Sequence, residues 1–494
     1  MNRLLILLFV FTVTFAIAQD KRIPQDTTVV TTNTVTIKGK KIPYKASTGM
    51  QPVWNSNGEI VASLYYTYYT RTDITEKSKR PLIMSFNGGP GSASAWMHIA
   101  YTGPQILKID DEGNPVQPYG IEDNPYSVLD VADIVFINPV NTGYSRPIVK
   151  KGEKVDKKYF FGVNADAKYL SDWLNTFVTR NNRWLSPKYI IGESYGGTRV
   201  MQLAKELQSK QWMYLNGVIM VSPADYKIIR SGASEDIAMN LPYFTATAWY
   251  HKMLPADLQQ KDLEEILPEA ELFSYNELLP AISKGGNIST KEKERIATKM
   301  ARFTGIKKHV LLQQNLEMKP SFFWKELLRD TSGKTLGRLD SRYLGIDREE
   351  IGTSPDYSPE LTAWLHSFTP AINYYTQNIL NFKTDVKYNM FGPVHPWDFE
   401  GEDARESLRQ AMAQNPYLQL LVQSGYYDGA TTYGVAKYTM GKIDPSGKLK
   451  NRMSFKGYRS GHMMYLRKED LKKSNEDLRV FIQKSSQNIG AAKY

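Results

Sequence analysis

The sequence predicts an α/β fold with a mostly parallel central sheet, and three observations support this prediction. Short apolar runs of strand length recur along the chain, and stretches with helical spacing of apolar residues, such as 164–178, alternate with them. Several of the apolar runs end in glycine-rich turns. Strands that alternate with helices in this way are typical of a parallel sheet, because each helix returns the chain to the starting edge.

The predicted elements begin after a polar, threonine-rich arm at 19–33, which we expect to be loose. Early strands are expected at 34–37, 41–44 and 59–69, the last one after the turn Asn55–Gly58. The buried strands of the sheet are predicted at Pro81–Phe86, Ala132–Ile137, Pro187–Ile191, Leu215–Val221, Leu418–Gln423 and Arg452–Phe455.

The alternation of strands and helices stops between 226 and 400. Charged helical segments, such as 255–267 and 291–302, and many aromatic residues take its place. We interpret this stretch as a largely helical cap inserted over the carboxyl edge of the sheet, where folds of this class bind ligands. The core is then expected to comprise 34–225 and 401–494.

The first residues are typical of an export signal. An apolar run at 4–18 follows Arg3 and closes with Ala16-Ile17-Ala18, which predicts a signal peptide removed near Ala18. The run is short for a membrane span, and no later stretch resembles it, so no integral membrane segment is expected after its removal. The chain has no cysteine. We therefore expect a bacterial periplasmic or extracellular protein.

The formal net charge of +11 raises the question of a polyanionic partner. Basic residues are scattered along the chain and mixed with acidic ones, as in 150–154. This pattern is typical of a solvated basic surface, and no nucleic acid partner is expected.

The stretch Gly192-Glu193-Ser194-Tyr195-Gly196-Gly197 lies between a predicted strand and a predicted helix. In this context the pattern G-x-S-x-G predicts a sharp turn that holds the Ser194 hydroxyl clear of the sheet as a nucleophile. The start of the following helix directs N–H groups toward the same place, which suits a developing oxyanion. Three fixed residues also recur by chance, so the pattern alone does not establish a nucleophile.

A serine nucleophile needs a base and an acid that orients the base. Of the six histidines, only His462 follows the last core strands. We favour it over His395, which sits beside two prolines and a tryptophan in the predicted insertion. Asp428 directly follows the strand 418–423, whereas the alternative acid, Asp444, looks like a hairpin turn residue. The predicted triad is therefore Ser194, His462 and Asp428.

The oxyanion of an acyl-transfer reaction needs two N–H donors. The N–H of Tyr195, directly after the nucleophile, is one candidate. The second is expected from the loop 87–91 after an earlier strand, and we assign it to Gly89. Taken alone, this loop is equally compatible with an ordinary tight turn. No metal or other cofactor is implied by these residues.

Taken together, these motifs resemble the serine carboxypeptidase family. The stretches that carry the resemblance are Asn87–Ser92, Asn138–Ser145, Gly192–Gly197, Gly425–Gly429 and Gly461–Met463. The resemblance spans about 82–465 and is weakest in the insertion. It implies an α/β-hydrolase fold with a helical cap and the release of C-terminal residues from peptides at mildly acidic pH.

The resemblance also implies a binding site for the free carboxylate of a peptide. Asn87 and Gly88 match the family's loop, and Glu193 matches a glutamate that donates to the carboxylate when protonated. Met463 would line the pocket of the leaving group. Tyr101 stands where the eukaryotic enzymes carry a second glutamate, and its phenol is expected to donate a hydrogen bond instead.

We therefore expect an exported serine carboxypeptidase-like peptidase that acts through an acyl-enzyme on peptides with a free C-terminal carboxylate. Two alternatives remain open. The same triad can serve an esterase or acyltransferase, for which the exchange to Tyr101 is the motive. The chain can also be a catalytically silent binding protein on the same scaffold.

Overall fold

The computed structural model describes residues 23–150, 152–224, 232–401 and 403–486. The predicted signal peptide lies outside them. The strands are β1 (Thr27–Ile37), β2 (Lys40–Trp54), β3 (Ile60–Arg71), β4 (Leu82–Phe86), β5 (Gln105–Leu107), β6 (Ile121–Asp123), β7 (Asp133–Ile137), β8 (Arg146–Pro147), β9 (Lys188–Glu193), β10 (Gly217–Val221), β11 (Thr335–Leu336), β12 (Leu344–Gly345), β13 (Gln419–Gly425) and β14 (Met453–Tyr458).

The helices of the described residues are α1 (Ala95–Ala100), α2 (Lys157–Phe160), α3 (Val163–Arg180), α4 (Tyr195–Lys210), α5 (Ser234–Met239), α6 (Leu241–Tyr250), α7 (Ala256–Gln259), α8 (Leu263–Phe273), α9 (Leu279–Ser283), α10 (Thr290–Thr304), α11 (Lys308–Gln313), α12 (Pro320–Glu326), α13 (Arg329–Ser332), α14 (Pro359–Tyr374), α15 (Ala404–Gln414), α16 (Tyr433–Ile443) and α17 (Lys468–Ser486). None of them combines the length and the apolar character that a membrane crossing requires.

A ten-stranded sheet forms the centre of the molecule, in the order β1-β2-β3-β7-β4-β9-β10-β13-β14, with β8 paired to β3. The strands β1, β2, β3 and β7 pair in antiparallel fashion. From β7 to β14 every neighbouring pair is parallel. This arrangement confirms the predicted α/β fold with a mostly parallel sheet.

Helices cover both faces of the parallel strands. Successive side chains of a strand point to opposite faces. Thus Ile83 belongs to a hydrophobic cluster with residues of α1, α14 and α17, whereas Leu82 and Met84 belong to a second cluster with residues of α3, α4 and α15. Burial on both faces explains why these strands appear as continuous apolar runs in the sequence.

The first strand corrects the expected loose arm. β1 begins at Thr27 and pairs with β2 along its whole length. Its side chains alternate between half-buried and exposed from Thr27 to Thr34. Threonine is β-branched and suits such a half-buried surface, so the polar composition of this stretch does not prevent strand formation.

The predicted insertion divides into two parts. Residues of α5 to α12 form a separate hydrophobic cluster, whose buried members extend to Leu336. By contrast, Trp364, Phe368 and Ile372 of α14 pack into the cluster of the sheet, and Val394 and Trp397 join the cluster on the opposite face. The structure therefore differs from the predicted boundary at 400, because the stretch after 359 buries its aromatic side chains on the core.

Candidate active site

The turn between β9 and α4 holds Ser194 in a strained conformation. Its backbone has φ 60° and ψ −126°, a positive φ that few residues other than glycine adopt. The Ser194 N–H donates to the Val221 carbonyl at 2.9 Å, and the Ser194 carbonyl accepts from the N–H of Gly197 at 2.8 Å. Pairing to the neighbouring strand and to the new helix thus maintains the turn.

Glycines allow backbone to approach this turn closely. A Cβ on Gly192 would lie 2.0 Å from the carbonyl oxygen of Gly196. A Cβ on Gly88, in the loop after β4, would lie 2.5 Å from the Tyr195 nitrogen. The loop therefore reaches the Ser194 turn only because these positions carry no side chain.

Asp428 and His462 form a buried pair at the ends of β13 and β14. The Nδ1 atom of His462 lies 2.7 Å from Oδ2 of Asp428, which is fully buried. The Thr431 hydroxyl donates to the same oxygen at 2.6 Å. The N–H groups of Ala430 and Thr431 donate to Oδ1 at 2.8 and 3.0 Å. The carboxylate is thus held in one orientation against the imidazole.

Burial and nearby charges set the protonation of these groups. Burial disfavours the charged imidazole, but the Asp428 carboxylate outweighs it and, with Glu193, raises the pKa of His462 above its usual value. Burial also raises the pKa of Glu193 to about 7, against the opposing effects of His462, Tyr465 and Asn87.

A short segment between β11 and β12, at 337–343, braces both loops of this pair; we refer to it as the strap. The Leu339 carbonyl accepts from the His462 N–H at 2.6 Å. The Arg338 carbonyl accepts from the N–H of Gly429, directly after Asp428, at 3.0 Å. Sequence analysis missed the strap, since nothing local to it marks a contact with residues 90 or more positions away.

Ser194, His462 and Gly89 line one cavity of about 900 Å³. The structure therefore brings the predicted nucleophile, base and one oxyanion donor to the same space. Gly89 is exposed and has φ 104°. Asp428 stands behind His462, as an orienting acid would. Arg338 of the strap lies on the cavity wall as well.

The expected carboxylate-binding residues lie behind this cavity rather than on its wall. Asn87 and Glu193 are 2% and 1% exposed. The Asn87 side-chain amide and the Tyr465 hydroxyl both donate to Oε2 of Glu193, the latter at 2.8 Å. Oε1 of Glu193 has no hydrogen-bond partner among the described residues. Tyr465 was not identified from the sequence, because no motif marks it.

Tyr101 does not occupy the place expected for it. Its hydroxyl donates to the Gln423 side chain at 2.7 Å, and its ring stacks on Tyr465 at 4.8 Å. The residue is fully buried, because Gln423 offers its phenol an acceptor inside the core. The phenol is thus directed at Gln423 in this structure, and its expected contact with a ligand stays a prediction. Met463 is also buried in the core cluster and does not line the cavity.

A buried ion pair lies beneath the loop after β4. Arg199 of α4 and Asp166 of α3 are 0% and 1% exposed and meet at 2.6 Å. The Arg199 guanidinium also donates to the Asn87 carbonyl and, at 3.5 Å, to that of Pro90. The ion pair thus holds both ends of the stretch that contains Gly89.

The two rejected candidates lie away from the cavity. His395 is exposed, and its carbonyl accepts from Lys157. Asp444 accepts from the Ser446 hydroxyl at 2.6 Å, as expected for a turn residue. The described part of the chain contains no group of three or more His, Asp or Glu residues placed to hold a metal ion.

Comparisons with known proteins agree with this architecture. A family model described as serine carboxypeptidase matches residues 39–329, more than half of the 494 residues. That match includes Ser194 and ends before Asp428 and His462.

Among curated proteins, serine carboxypeptidase-like 36 and 37 of Arabidopsis thaliana are 32% and 31% identical over 171 and 174 residues. Each alignment covers 33% of this chain, and the two cover 31% and 33% of the relatives. The matched part thus spans about a third of their length.

Among solved structures, that of KEX1(DELTA)P, a prohormone-processing carboxypeptidase from Saccharomyces cerevisiae, superposes with a TM-score of 0.55 at 14% identity. The superposition covers 90% of this chain and 92% of that chain, and it concerns the fold.

Proposed function

This chain belongs to the serine carboxypeptidase family, and from that membership we propose that it is an exported peptidase that hydrolyses C-terminal peptide bonds. Ser194, His462 and Asp428 are the proposed catalytic triad. The observation that carries the proposal is the Asp428–His462 hydrogen bond of 2.7 Å behind a cavity that Ser194 and His462 line together.

In the proposed reaction, Ser194 attacks the carbonyl carbon of the last peptide bond. Nε2 of His462 takes the hydroxyl proton, while Nδ1 donates to Asp428, which stabilises the imidazolium. The N–H groups of Gly89 and Tyr195 bind the oxyanion. His462 then gives the proton to the leaving amino group, and water, activated by the same base, hydrolyses the acyl-enzyme.

The direct test is the variant Ser194→Ala. We expect kcat to fall by roughly 10⁴–10⁶ and labelling by a fluorophosphonate to disappear, while the unfolding midpoint stays close to that of the wild type. The matched control is Ser209→Ala, an exposed serine on α4, which should retain labelling and turnover. Near-full turnover in Ser194→Ala would exclude this nucleophile.

A second candidate function is ester hydrolysis or acyl transfer by the same triad. The position of Tyr101 favours it, because this phenol donates to Gln423 and adds no acid beside Glu193. The assay compares a blocked dipeptide with its C-terminal amide and with a simple ester. Equal activity on all three would remove the carboxypeptidase function. A folded protein with unlabelled Ser194 would instead support a silent binding protein.

Export to the periplasm or the extracellular space is part of the proposal and rests on the apolar run at 4–18. The N-terminus of the protein secreted by a bacterial host should begin near Gln19. Accumulation of uncleaved chain inside the cells would contradict this part of the proposal.

A further inference from the structure

The strap places one arginine at the catalytic pair. Two successive carbonyls of the strap accept hydrogen bonds from the loops of the pair. The Arg338 carbonyl accepts from the Gly429 N–H, and the Leu339 carbonyl accepts from the His462 N–H. On the other side of the strap, Oε1 of the buried Glu360 accepts from the Leu339 N–H at 2.8 Å. The backbone from which the Arg338 side chain extends is therefore held by hydrogen bonds on both sides of the strap.

The Arg338 side chain is exposed and lines the cavity. No carboxylate of the described ranges lies within ion-pair distance of its guanidinium. Its side chain and the His462 imidazole line the same cavity. An exposed arginine on a cavity wall, with no carboxylate of the described residues within ion-pair distance, is suited to binding an anion.

Among the described residues of the cavity wall, two side chains are basic, Arg338 and Lys319, and one is acidic, Asp236. Lys319, directly before α12, is exposed and also has no ion-pair partner among the described residues. The acidic residue of the wall, Asp236, accepts hydrogen bonds from the Gly232 N–H at 2.9 Å and from the Asn240 side chain at 3.3 Å. The two basic side chains thus remain available to a ligand.

We propose that Arg338, together with Lys319, binds a carboxylate of the peptide substrate. The inference rests on the proposed function and extends it to a pair of residues that no motif marks. Asn87 and Glu193 are buried behind the cavity wall, so the described cations on the wall itself are Arg338 and Lys319. The carboxylate comes either from the C-terminus of the peptide or from an acidic side chain next to the cleaved bond.

The test uses Arg338→Met and Lys319→Met in the full chain, with Arg348→Met as the matched control. Arg348 is an exposed arginine after β12 that does not line the cavity. The substrates are blocked dipeptides in three pairs: free C-terminus against amide, and glutamate against glutamine on either side of the cleaved bond. These pairs distinguish the two sources of the carboxylate.

We expect the wild type to prefer the charged member of at least one pair. Arg338→Met should reduce that preference in kcat/KM by about ten- to hundred-fold, the range for a charge-assisted hydrogen bond. Lys319→Met should reduce it less, since an ammonium does not bind a carboxylate in bidentate fashion. The control should leave the preference unchanged. Fluorophosphonate labelling should persist in all variants, because the triad is untouched.

Failure of this inference differs from failure of the proposed function. If the wild type prefers the charged substrate and Arg338→Met keeps the full preference, the carboxylate site is refuted and the carboxypeptidase function stands. If the wild type hydrolyses the peptides without preference for a carboxylate in any pair, the carboxylate site and the carboxypeptidase function are both refuted. If no peptide is hydrolysed, calorimetry with N-acetylglutamate against N-acetylglutamine amide still tests the site. Equal binding of both compounds to wild type and Arg338→Met would then refute it.

Discussion

The ion pair beneath the loop after β4 allows a stability prediction from burial alone. Asp166→Asn removes the negative charge and leaves the Arg199 guanidinium buried, with only carbonyl oxygens and a neutral side chain as partners. Breaking a buried pair in this way costs about 3–5 kcal/mol, because the remaining charge is no longer compensated. We expect a loss of that size in the free energy of unfolding measured by denaturant titration.

Two further variants complete this experiment. Asp166→Leu combined with Arg199→Met replaces both charges by apolar groups, and it should recover much of the lost stability. It should nevertheless be labelled by a fluorophosphonate more slowly than the wild type, because the Asn87 carbonyl loses the hydrogen bond from Arg199. Glu406→Gln is the control: its partner Arg409 is 37% exposed, so the expected cost is within about 0.5 kcal/mol.

A loss below about 1 kcal/mol in Asp166→Asn would refute the assignment of a compensating role to this pair. The same holds if the double variant is no more stable than Asp166→Asn. Both outcomes would indicate that water or rearranged backbone satisfies the guanidinium.

Three other predictions follow from the site. Gly88→Ala should slow fluorophosphonate labelling and cost about 1–3 kcal/mol, because its Cβ meets backbone at 2.5 Å, whereas Gly120→Ala, with nothing within 4 Å, should change neither. The pKa of about 7 for Glu193, above the 4.5 of the unfolded chain, means that folded protein keeps a proton that unfolded protein releases. The contribution of Glu193 to the unfolding free energy should therefore fall as pH rises from 4.5 to 7, and Glu193→Gln should show a smaller decrease in denaturant titrations. Buried Glu360, whose pKa is also raised to about 7, should supply the decrease that remains. Asp428→Asn should lower kcat by about 10⁴ and move the acidic limb of the pH–rate profile to lower pH, since the carboxylate raises the pKa of His462.

The parallel core was predictable because its strands are buried on both faces. Each of β4, β7, β9, β10 and β13 contains a short apolar run, and such a run is typical of a strand that is buried on both faces. The threonine-rich start of β1 was not predictable in the same way, because its residues are half-buried or exposed and form no continuous apolar run. The aromatic residues of α14 likewise do not indicate which of two hydrophobic clusters they join.

For the candidate site, the sequence was informative about residues whose position depends on a local turn. Ser194 and Gly89 sit in glycine-rich loops whose geometry a few neighbouring residues determine. The partners of Tyr101 and Glu193 are different, because Gln423 and Tyr465 come from distant parts of the chain. No local pattern predicts such contacts, so the direction of the Tyr101 phenol could be learned only from the fold.

The strap also changes how the inserted helices should be viewed in engineering. Such insertions are often treated as modules to be exchanged for new selectivity. Here the chain returning from the helices supplies the acceptor for the main-chain N–H of His462. Exchanging the whole insertion for a shorter linker would leave that N–H without a partner next to the His462 imidazole. Grafts should therefore retain 337–343 and vary the helices before it.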